Sequence, residues 1–183
     1  MSAITDVDFK ILDFIQEYFS CRFLDFLMPK LTFLGNGGLI WIISAVIMLF
    51  FAKYRKMGIS IGVGLLEGVI IGNVLIKNLV ARERPCWINE TVQMLISIPQ
   101  DYSFPSGHTL SSFIAATIII HFNRWMGIAA YVLASIIAFS RLYLYVHFPT
   151  DVLTGILIGI TIGMASNLVL DKLFLFIEKR ASQ

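Results

Sequence analysis

The sequence predicts an all-α, polytopic membrane protein in which an N-terminal interfacial helix precedes a six-helix transmembrane bundle. Two features of its composition lead to this prediction. Hydrophobic residues make up 57% of the 183 residues and charged residues only 14%, whereas a water-soluble domain carries about 25% charged residues. The mean hydropathy is +0.81, so polar side chains are too few to cover a soluble globule. The length predicts a single membrane-embedded domain over residues 1–183.

Six apolar stretches account for the predicted bundle. A helix needs about 20 mostly apolar residues to cross a bilayer, and five stretches suit that length. The stretch 22–34 is poorer, because it contains Asp25, Pro29 and Lys30. We count it as a span because a six-span topology places more basic residues inside than outside, as in other membrane proteins. The predicted spans are 22–34, 38–52, 57–80, 107–122, 125–146 and 149–177.

Residues 1–21 are predicted to form the interfacial helix. Acidic residues alternate there with apolar residues at helical spacing. The apolar residues are Val7, Ile11, Phe14, Ile15 and Tyr18. Such a helix lies on a membrane surface; the alternative is a helix packed against other protein.

The basic residues predict the orientation of the bundle. With six spans and a cytoplasmic N-terminus, nine Lys and Arg residues fall inside and five fall outside, as the positive-inside rule requires. Both termini are then cytoplasmic, and the loop 82–104 is outside. Cys21 and Cys86 fall on opposite sides, which excludes a disulfide between them. The net charge of +2 gives no indication of a nucleic-acid partner.

Two series of glycines recur every four residues, in the third and sixth predicted spans. Stripes of small residues allow helix backbones to approach closely, so we expect these two spans to pack near each other. The series are Gly64, Gly68 and Gly72, and Gly155, Gly159 and Gly163.

Three polar clusters fall at the predicted outer end of the bundle. The first runs from Lys77 to Arg84-Pro85, the second is Pro105-Ser106-Gly107-His108, and the third comprises Ser140-Arg141, His147 and Asp151.

The first property these clusters share is the ability to hold an anion. Lys77, Arg84 and Arg141 are three cations that can converge on one phosphate group. Ser106 suits the N-cap of a helix, and Gly107 lets an anion approach the backbone. The free N–H groups of that helix start complete an anion site.

The second property is a pair of histidines suited to phosphoryl transfer. Asp151 can bond one imidazole nitrogen of His147 and leave the other free to attack. His108 is available as a general acid–base. This inventory fits phosphate ester hydrolysis through a phosphohistidine. No cluster has the ligands of a metal site, and we expect neither a metal nor another cofactor.

Together the three clusters resemble the three-part signature of the type 2 phosphatidic acid phosphatase superfamily. That signature reads Lys-x6-Arg-Pro, Pro-Ser-Gly-His and Ser-Arg-x5-His-x3-Asp, and residues 77–151 fill every position. The resemblance implies a metal-independent phosphatase domain. It implies that Lys77, Arg84 and Arg141 bind phosphate together with Ser106 and the Gly107 N–H. It further implies that His147 is the nucleophile oriented by Asp151, and that His108 protonates the leaving group and then activates water.

The chain is similar to small bacterial members of this superfamily, which implies a plasma-membrane location and a lipid phosphate as substrate. We favour undecaprenyl diphosphate, since recycling that carrier needs an outward-facing phosphatase. Phosphatidylglycerol phosphate and phosphatidic acid are the main alternatives, followed by lipid A and by sphingoid or sugar phosphates. A transporter with Glu67 and Asn73 on its path and a lipid-binding scaffold are alternatives of other classes. The oligomeric state stays open.

Four other residues have weaker interpretations. His121 is expected to be structural, and Arg82 and Glu83 to be solvated in the loop or to touch substrate. Glu67, an acid within a predicted span, is either functional, protonated, or bonded to a neighbouring helix.

Overall fold

The computed structural model describes residues 3–181, and these form helices and loops without a β-strand. A 3₁₀ turn at Asn36–Gly38 joins α2 to α3, and a π-helical segment at Val69–Ile76 joins α4 to α5. The helices are α1 (Ala3–Phe19), α2 (Arg22–Leu34), α3 (Leu39–Leu49), α4 (Arg55–Gly68), α5 (Lys77–Val80), α6 (Pro85–Ile88), α7 (Gly107–Phe122), α8 (Arg124–Tyr143) and α9 (Pro149–Ala181).

Helix α7 forms the centre of the bundle, and α3, α4, α8 and α9 pack around it. Its apolar side chains from Leu110 to Ile119 are buried, as is typical of a helix surrounded by other helices, and only Ile120 and Phe122 at its end are exposed. One of its few polar contacts is the hydroxyl of Ser112, which accepts a hydrogen bond from Nε1 of Trp41 at 2.9 Å.

Both glycine series face α7, from two different sides. A Cβ atom at Gly64 would lie 2.7 Å from a methyl of Ile118, and one at Gly159 would lie 2.8 Å from the carbonyl oxygen of Leu110. The missing side chains therefore allow α4 and α9 to approach α7 closely. Helices α4 and α9 also contact each other, so the predicted proximity of the two spans is confirmed.

Among residues 3–181, three continuous helical segments are long and apolar enough to cross a membrane: the one that begins at Arg55, α8, and α9. Helices α2 and α3 pass the same test only as a pair, with a bend of 45° between them. The bend lies at Gly37 and Gly38, whose φ angles of +58° and +74° suit glycine. Helix α7, with 16 residues, is shorter. The six-span count is therefore not confirmed, because α2 and α3 continue in one general direction instead of forming an antiparallel pair.

Helix α1 lies at the end of the bundle that carries Lys77, Arg84 and Arg141, which we call the site end. Asp8 of α1 bonds Arg82 at 2.7 Å. At the opposite end, the far end, Lys56 pairs with Glu178 of α9 at 2.5 Å.

The expectation of a cytoplasmic N-terminus together with an outer site therefore differs from the structure, because the two ends of the described chain lie at opposite ends of the bundle. The cysteines also differ from expectation, because both lie at the site end. The amide of Cys21 donates to the Tyr143 hydroxyl at 3.4 Å, and Cys86 packs in one apolar cluster with Tyr143. Both are free thiols.

Candidate active site

The signature residues from three distant segments line one cavity of about 1060 Å³ at the site end. The cavity is lined by Lys77, Arg84, Gly107, His108, Arg141 and His147. Ser106 and Asp151 lie behind this wall and are fully buried. The structure thus brings together the residues that the sequence singled out.

Lys77 follows directly after the π-helical segment, and only 8% of its surface is exposed. Its Nζ atom lies 2.5 Å from Oδ2 of Asp101 in the loop before α7. The ammonium group is therefore held at the cavity wall by a carboxylate whose side chain is 56% exposed.

Nearly all of the N–H groups of the Arg84 guanidinium donate hydrogen bonds, which fix its orientation. Its Nη2 atom pairs with Oδ1 of Asp101 at 2.8 Å, and its Nε atom donates to the Asp101 carbonyl at 2.7 Å. Its Nη1 atom donates to the Val146 carbonyl at 2.6 Å and lies 3.1 Å from Nε2 of His147. The guanidinium therefore joins the loop at 101 to the segment that carries His147.

Arg141, near the end of α8, keeps a free donor. Its Nη1 atom donates to the hydroxyl of Thr32 on α2 at 2.5 Å. Its Nε atom is buried and has no hydrogen-bond partner among the described residues. A buried donor of a charged group without a partner is costly, so this atom is suited to an anionic ligand in the cavity.

His147 presents its two ring nitrogens to different surroundings. A guanidinium can only donate, so Nε2 accepts from Arg84 and the ring proton lies on Nδ1. Nδ1 lies 3.4 Å from the hydroxyl of Ser103 and 3.6 Å from Oδ2 of Asp151. The Ser103 hydroxyl in turn donates a short hydrogen bond to the same Oδ2 atom. Nδ1 therefore reaches the carboxylate mainly through Ser103, while Nε2 is on the cavity side.

Asp151 lies in the first turn of α9, and its carboxylate is held on both oxygens. Oδ2 accepts from the Phe148 amide at 2.9 Å as well as from Ser103. Oδ1 accepts from Nη1 of Arg82 at 2.6 Å. A carboxylate held by donors on both oxygens is fixed in orientation.

The start of α7 differs in detail from the expected cap. Ser106 occupies the N-cap position, but its hydroxyl accepts from Thr109 at 3.0 Å and makes no capping bond. A Cβ atom at Gly107 would lie 3.1 Å from Oδ1 of Asn73, so glycine also leaves room for that side chain. His108 faces the cavity and bonds Oδ1 of Asn36 through Nε2 at 2.8 Å.

Two groups outside the helical spans have shifted pKa values. Burial, together with the positive charges of Arg84 and Arg141, holds the pKa of His147 well below its usual range. Burial alone would raise the pKa of Asp101, but the hydrogen bonds and charges of Lys77 and Arg84 lower it to about 2. At neutral pH the site therefore combines a neutral imidazole with an ionised carboxylate.

Several contributors to the site were missed or misread in the sequence. Ser103 and Asp101 carry no motif, although both lie just before Pro105. Thr32 lies 109 residues from its partner Arg141 along the chain, and Asn36 lies 72 residues from its partner His108. Arg82 is not solvated but contacts Asp8 and Asp151. Of these residues, only Arg82 could have been linked to the site from the sequence, because it lies two residues before the signature residue Arg84.

Two other polar residues singled out from the sequence, Glu67 and His121, lie outside the cavity wall, whereas Asn73 lines it. Glu67 accepts a hydrogen bond from Ser166 of α9 at 2.6 Å, which supports its interpretation as a helix-bonding residue. His121 pairs with Asp171 at 2.9 Å at the far end, which fits a structural role. In the part of the chain that the structure describes, no three His, Cys, Asp or Glu side chains are grouped as metal ligands.

An apolar groove leads from the charged part of the cavity along α3 and α4. Small and aliphatic side chains line it, among them Ile42, Val46, Ile59, Gly62, Val63 and Leu66. The cavity therefore combines a polar head with an apolar channel along the helices.

This fold and site define a helical membrane phosphatase, and the sequence places it in a family. The PAP2 superfamily matches residues 57–174, which cover every signature residue. The chain belongs to the PAP2 superfamily.

Named relatives and solved structures agree with this membership. The undecaprenyl-diphosphatase of Sulfolobus acidocaldarius is 34% identical over 74% of this chain and 67% of the relative. The decaprenylphosphoryl-5-phosphoribose phosphatase of Mycobacterium tuberculosis is 33% identical over 73% of both chains. The first transmembrane PAP2 type phosphatidylglycerolphosphate phosphatase of Bacillus subtilis superposes with a TM-score of 0.76 at 25% identity, over 94% of this chain and 88% of the other.

Aquifex aeolicus LpxE superposes with a TM-score of 0.71 at 26% identity, over 87% of this chain and 94% of the other. The protein is accordingly a multi-pass membrane hydrolase that acts on lipid phosphate.

Proposed function

We propose that this protein hydrolyses undecaprenyl diphosphate to undecaprenyl phosphate and inorganic phosphate, through a phosphohistidine formed on His147. One observation carries the mechanism: Nε2 of His147 lies 3.1 Å from Nη1 of Arg84, a group that can only donate, at the wall of a cationic cavity. A neutral imidazole nitrogen beside phosphate-binding donors is what nucleophilic attack on phosphorus requires. Residues 1–183 serve as one phosphatase domain.

The phosphate is held by the three cations. Arg141 offers its unpartnered Nε atom, and Lys77 and Arg84 exchange Asp101 for phosphate oxygens. The N–H groups at the start of α7, next to Ser106 and Gly107, add donors without a net charge. An incoming phosphate oxygen takes over the Arg84 donor, which leaves the Nε2 lone pair of His147 facing phosphorus.

The reaction proceeds in two displacements. Nε2 of His147 attacks the terminal phosphorus, the bridging P–O bond breaks, and His108 protonates the leaving oxygen. His108 then takes a proton from water, which attacks phosphorus, breaks the P–N bond and releases inorganic phosphate. Asp151 keeps the Nδ1 proton of His147 in place and stabilises the positive charge that develops on the ring.

The apolar groove along α3 and α4 supports a long-chain substrate, because a prenyl chain can occupy it while the diphosphate enters the cavity. The relative from Sulfolobus acidocaldarius, named for undecaprenyl diphosphate, supports this lipid. The second candidate is phosphatidylglycerol phosphate, which the Bacillus subtilis neighbour favours by its name.

The charge distribution supports a site end that faces the outside of the cell. The far end carries seven basic residues against two acids, and such a polybasic surface is attracted to the anionic lipids of a cytoplasmic leaflet. The basic residues are Lys53, Arg55, Lys56, Arg124, Lys172, Lys179 and Arg180, and the acids are Asp171 and Glu178. Helix α1 is then an outer interfacial helix, and its exposed apolar stripe suits a lipid surface. The stripe consists of Val7, Ile11, Phe14 and Tyr18.

Phosphate release by the purified protein in detergent with EDTA tests this proposal. Undecaprenyl diphosphate, phosphatidylglycerol phosphate and phosphatidic acid are compared, with His147→Ala as the inactive variant and His121→Ala as a matched control at the far end. We expect preference for the diphosphate, loss in His147→Ala and normal activity in His121→Ala. Equal rates on the three lipids would overturn the substrate assignment, and an active His147→Ala would overturn the mechanism. Inhibition by EDTA that Mg²⁺ reverses would contradict a metal-free reaction.

A further inference from the structure

We propose that Arg82 and Asp8 are positioning residues for phosphoryl transfer, which couple the N-terminal helix α1 to Asp151. This inference rests on the proposed role of His147 as nucleophile and of Asp151 as its partner. Neither Arg82 nor Asp8 belongs to the signature, and Asp8 lies outside the matched range 57–174.

Arg82 links two buried carboxylates. Its Nη1 atom lies 2.6 Å from Oδ1 of Asp151, and its Nη2 atom lies 2.7 Å from Oδ2 of Asp8. The side chain of Asp151 is fully buried, that of Asp8 is 2% exposed, and that of Arg82 is 20% exposed. Without the guanidinium, the carboxylates of Asp8 and Asp151 would lie buried with no cation between them to balance their charges, which is costly.

The position of Arg82 is itself fixed from several directions. Its guanidinium lies over the ring of Phe148, 3.9 Å from the centroid, and donates to the hydroxyl of Thr150 at 2.7 Å. Both residues flank Pro149 at the start of α9, close to His147. The Arg82 carbonyl accepts from the Ser103 amide at 2.8 Å, so the same residue also anchors the loop that carries the Ser103 hydroxyl.

Asp8 completes the link from α1. Its carboxylate accepts from the Thr150 amide at 3.1 Å and from the Thr150 hydroxyl at 2.6 Å, in addition to Arg82. Asp8 bonds both the first turn of α9 and Arg82, the partner of Asp151. The position of Asp151 therefore depends on the position of α1. The N-terminal helix therefore contributes to catalysis without touching substrate.

Few charged side chains face Asp151, so few other groups could alter its orientation. The titratable or charged side chains that face it are His147, Arg82 and, through Arg82, Asp8. Arg84 contacts the far nitrogen of His147 and not Asp151.

Steady-state kinetics of full-length variants on undecaprenyl diphosphate test the proposal. We expect Arg82→Ala to lower kcat about 100-fold, the size of effect that a small misplacement of a catalytic group produces, with little change in KM. Added methylguanidinium should restore part of that loss, and Arg82→Lys should lie between the two. Asp8→Asn should lower kcat in the wild-type background but have little further effect beside Arg82→Ala, since the two residues act as one unit.

Asp13→Asn is the matched control. It removes the charge of another α1 acid, one that accepts a 2.9 Å hydrogen bond from the Tyr145 hydroxyl, but leaves Arg82 and Asp151 in place, so kcat should stay normal. A wild-type kcat for a folded Arg82→Ala would overturn the inference, as would additive effects of Arg82→Ala and Asp8→Asn.

If Arg82→Ala fails to fold, Arg82→Lys and Asp8→Asn decide the question. Folded variants with wild-type kcat reject the coupling, and a lower kcat at unchanged KM and unchanged thermal midpoint supports it. A wild-type protein that releases no phosphate from any lipid would instead reject the proposed function, which keeps the two failures distinguishable.

Discussion

The Nδ1 atom of His147 lies 3.6 Å from Oδ2 of Asp151, and the hydroxyl of Ser103 contacts both atoms. The serine therefore stands between a histidine and a carboxylate that would otherwise pair directly. The Ser103 hydroxyl can accept a hydrogen bond from Nδ1 and donate one to Oδ2. The orientation of Asp151 therefore determines that of the imidazole through Ser103.

Replacing Ser103 should slow the chemical steps. In Ser103→Ala, Nδ1 loses its nearest acceptor, and we expect kcat to fall by ~10- to 100-fold with KM nearly unchanged. Ser60→Ala is the control, because Ser60 is equally buried but bonds the Lys56 carbonyl near the far end. A normal kcat in Ser103→Ala would mean that His147 reaches Asp151 directly in the working enzyme.

Asp101 competes with the anion for the cations of the cavity. Because its carboxylate pairs with Lys77 and Arg84, Asp101→Asn should make vanadate, a phosphate analogue, inhibit at about tenfold lower concentration, the equivalent of about 1.4 kcal/mol. Asp171→Asn, which removes a far-end acid paired with His121, should leave inhibition unchanged. Weaker inhibition by vanadate in Asp101→Asn would show that Asp101 instead holds the cations in their working positions.

The low pKa of His147 predicts how stability depends on pH. The unfolded imidazole titrates near a pKa of about 6.5, whereas burial, Arg84 and Arg141 keep the folded one neutral to lower pH. Below about pH 6.5 the unfolded state therefore binds more protons, and stability falls as pH falls. We expect the thermal midpoint of the wild type to drop more between pH 7 and pH 5 than that of His147→Asn. Parallel curves would contradict a depressed pKa.

Asp101 acts in a lower pH range with the same sign. Its pKa of about 2 lies below the unfolded value, so its stabilising pair with the cations persists above about pH 4 and is lost as the pH approaches 2.

Replacing a glycine that faces α7 should change stability differently from replacing a glycine that faces open space. A Cβ atom at Gly159 would meet the Leu110 carbonyl at 2.8 Å and Cβ of Phe113 at 2.9 Å, whereas one at Gly62 would meet nothing within 4 Å. Gly159→Ala should destabilise by about 1–3 kcal/mol through overpacking, while Gly62→Ala should be neutral or stabilise by up to about 1 kcal/mol. Thermal unfolding in detergent measures both, and equal midpoints would contradict the close approach of α9 to α7.

Cysteine labelling tests the placement of α1. In a background with Cys21→Ser and Cys86→Ala, we expect Lys10→Cys to react with an impermeant maleimide from outside the cell. Lys53→Cys, in the loop between α3 and α4, should react only after the membrane is permeabilised. The reverse pattern would show that the site end faces the cytoplasm.

Much of this architecture could be predicted from the sequence, and the predictions that were not confirmed have physical reasons. The all-helical class and the spatial grouping of the eight candidate site residues were predicted from the sequence, because apolar runs and fixed spacings are local properties. The separate crossing assigned to α2 is not confirmed, because α2 and α3 pass the test for a span only as a pair bent by 45°, an angle that composition does not encode.

The partners of the signature residues were harder to predict for a different reason. The contacts of Arg82 with Asp8 and of Arg141 with Thr32 join segments that lie far apart along the chain. Only the packing of α1 and α2 against the site end brings them together.

The shortness of α7 bears on where in the membrane the reaction takes place. Sixteen residues give a helix about 24 Å long, against a hydrocarbon layer of about 30 Å. Since α7 is wrapped by other helices, lipid tails do not have to adjust to it, and the phosphate-binding start of α7 can sit several ångströms beneath the headgroup plane. A lipid headgroup that reaches the cavity would then move toward the boundary with the chains, so we expect turnover to depend on bilayer thickness as well as on the residues of the site.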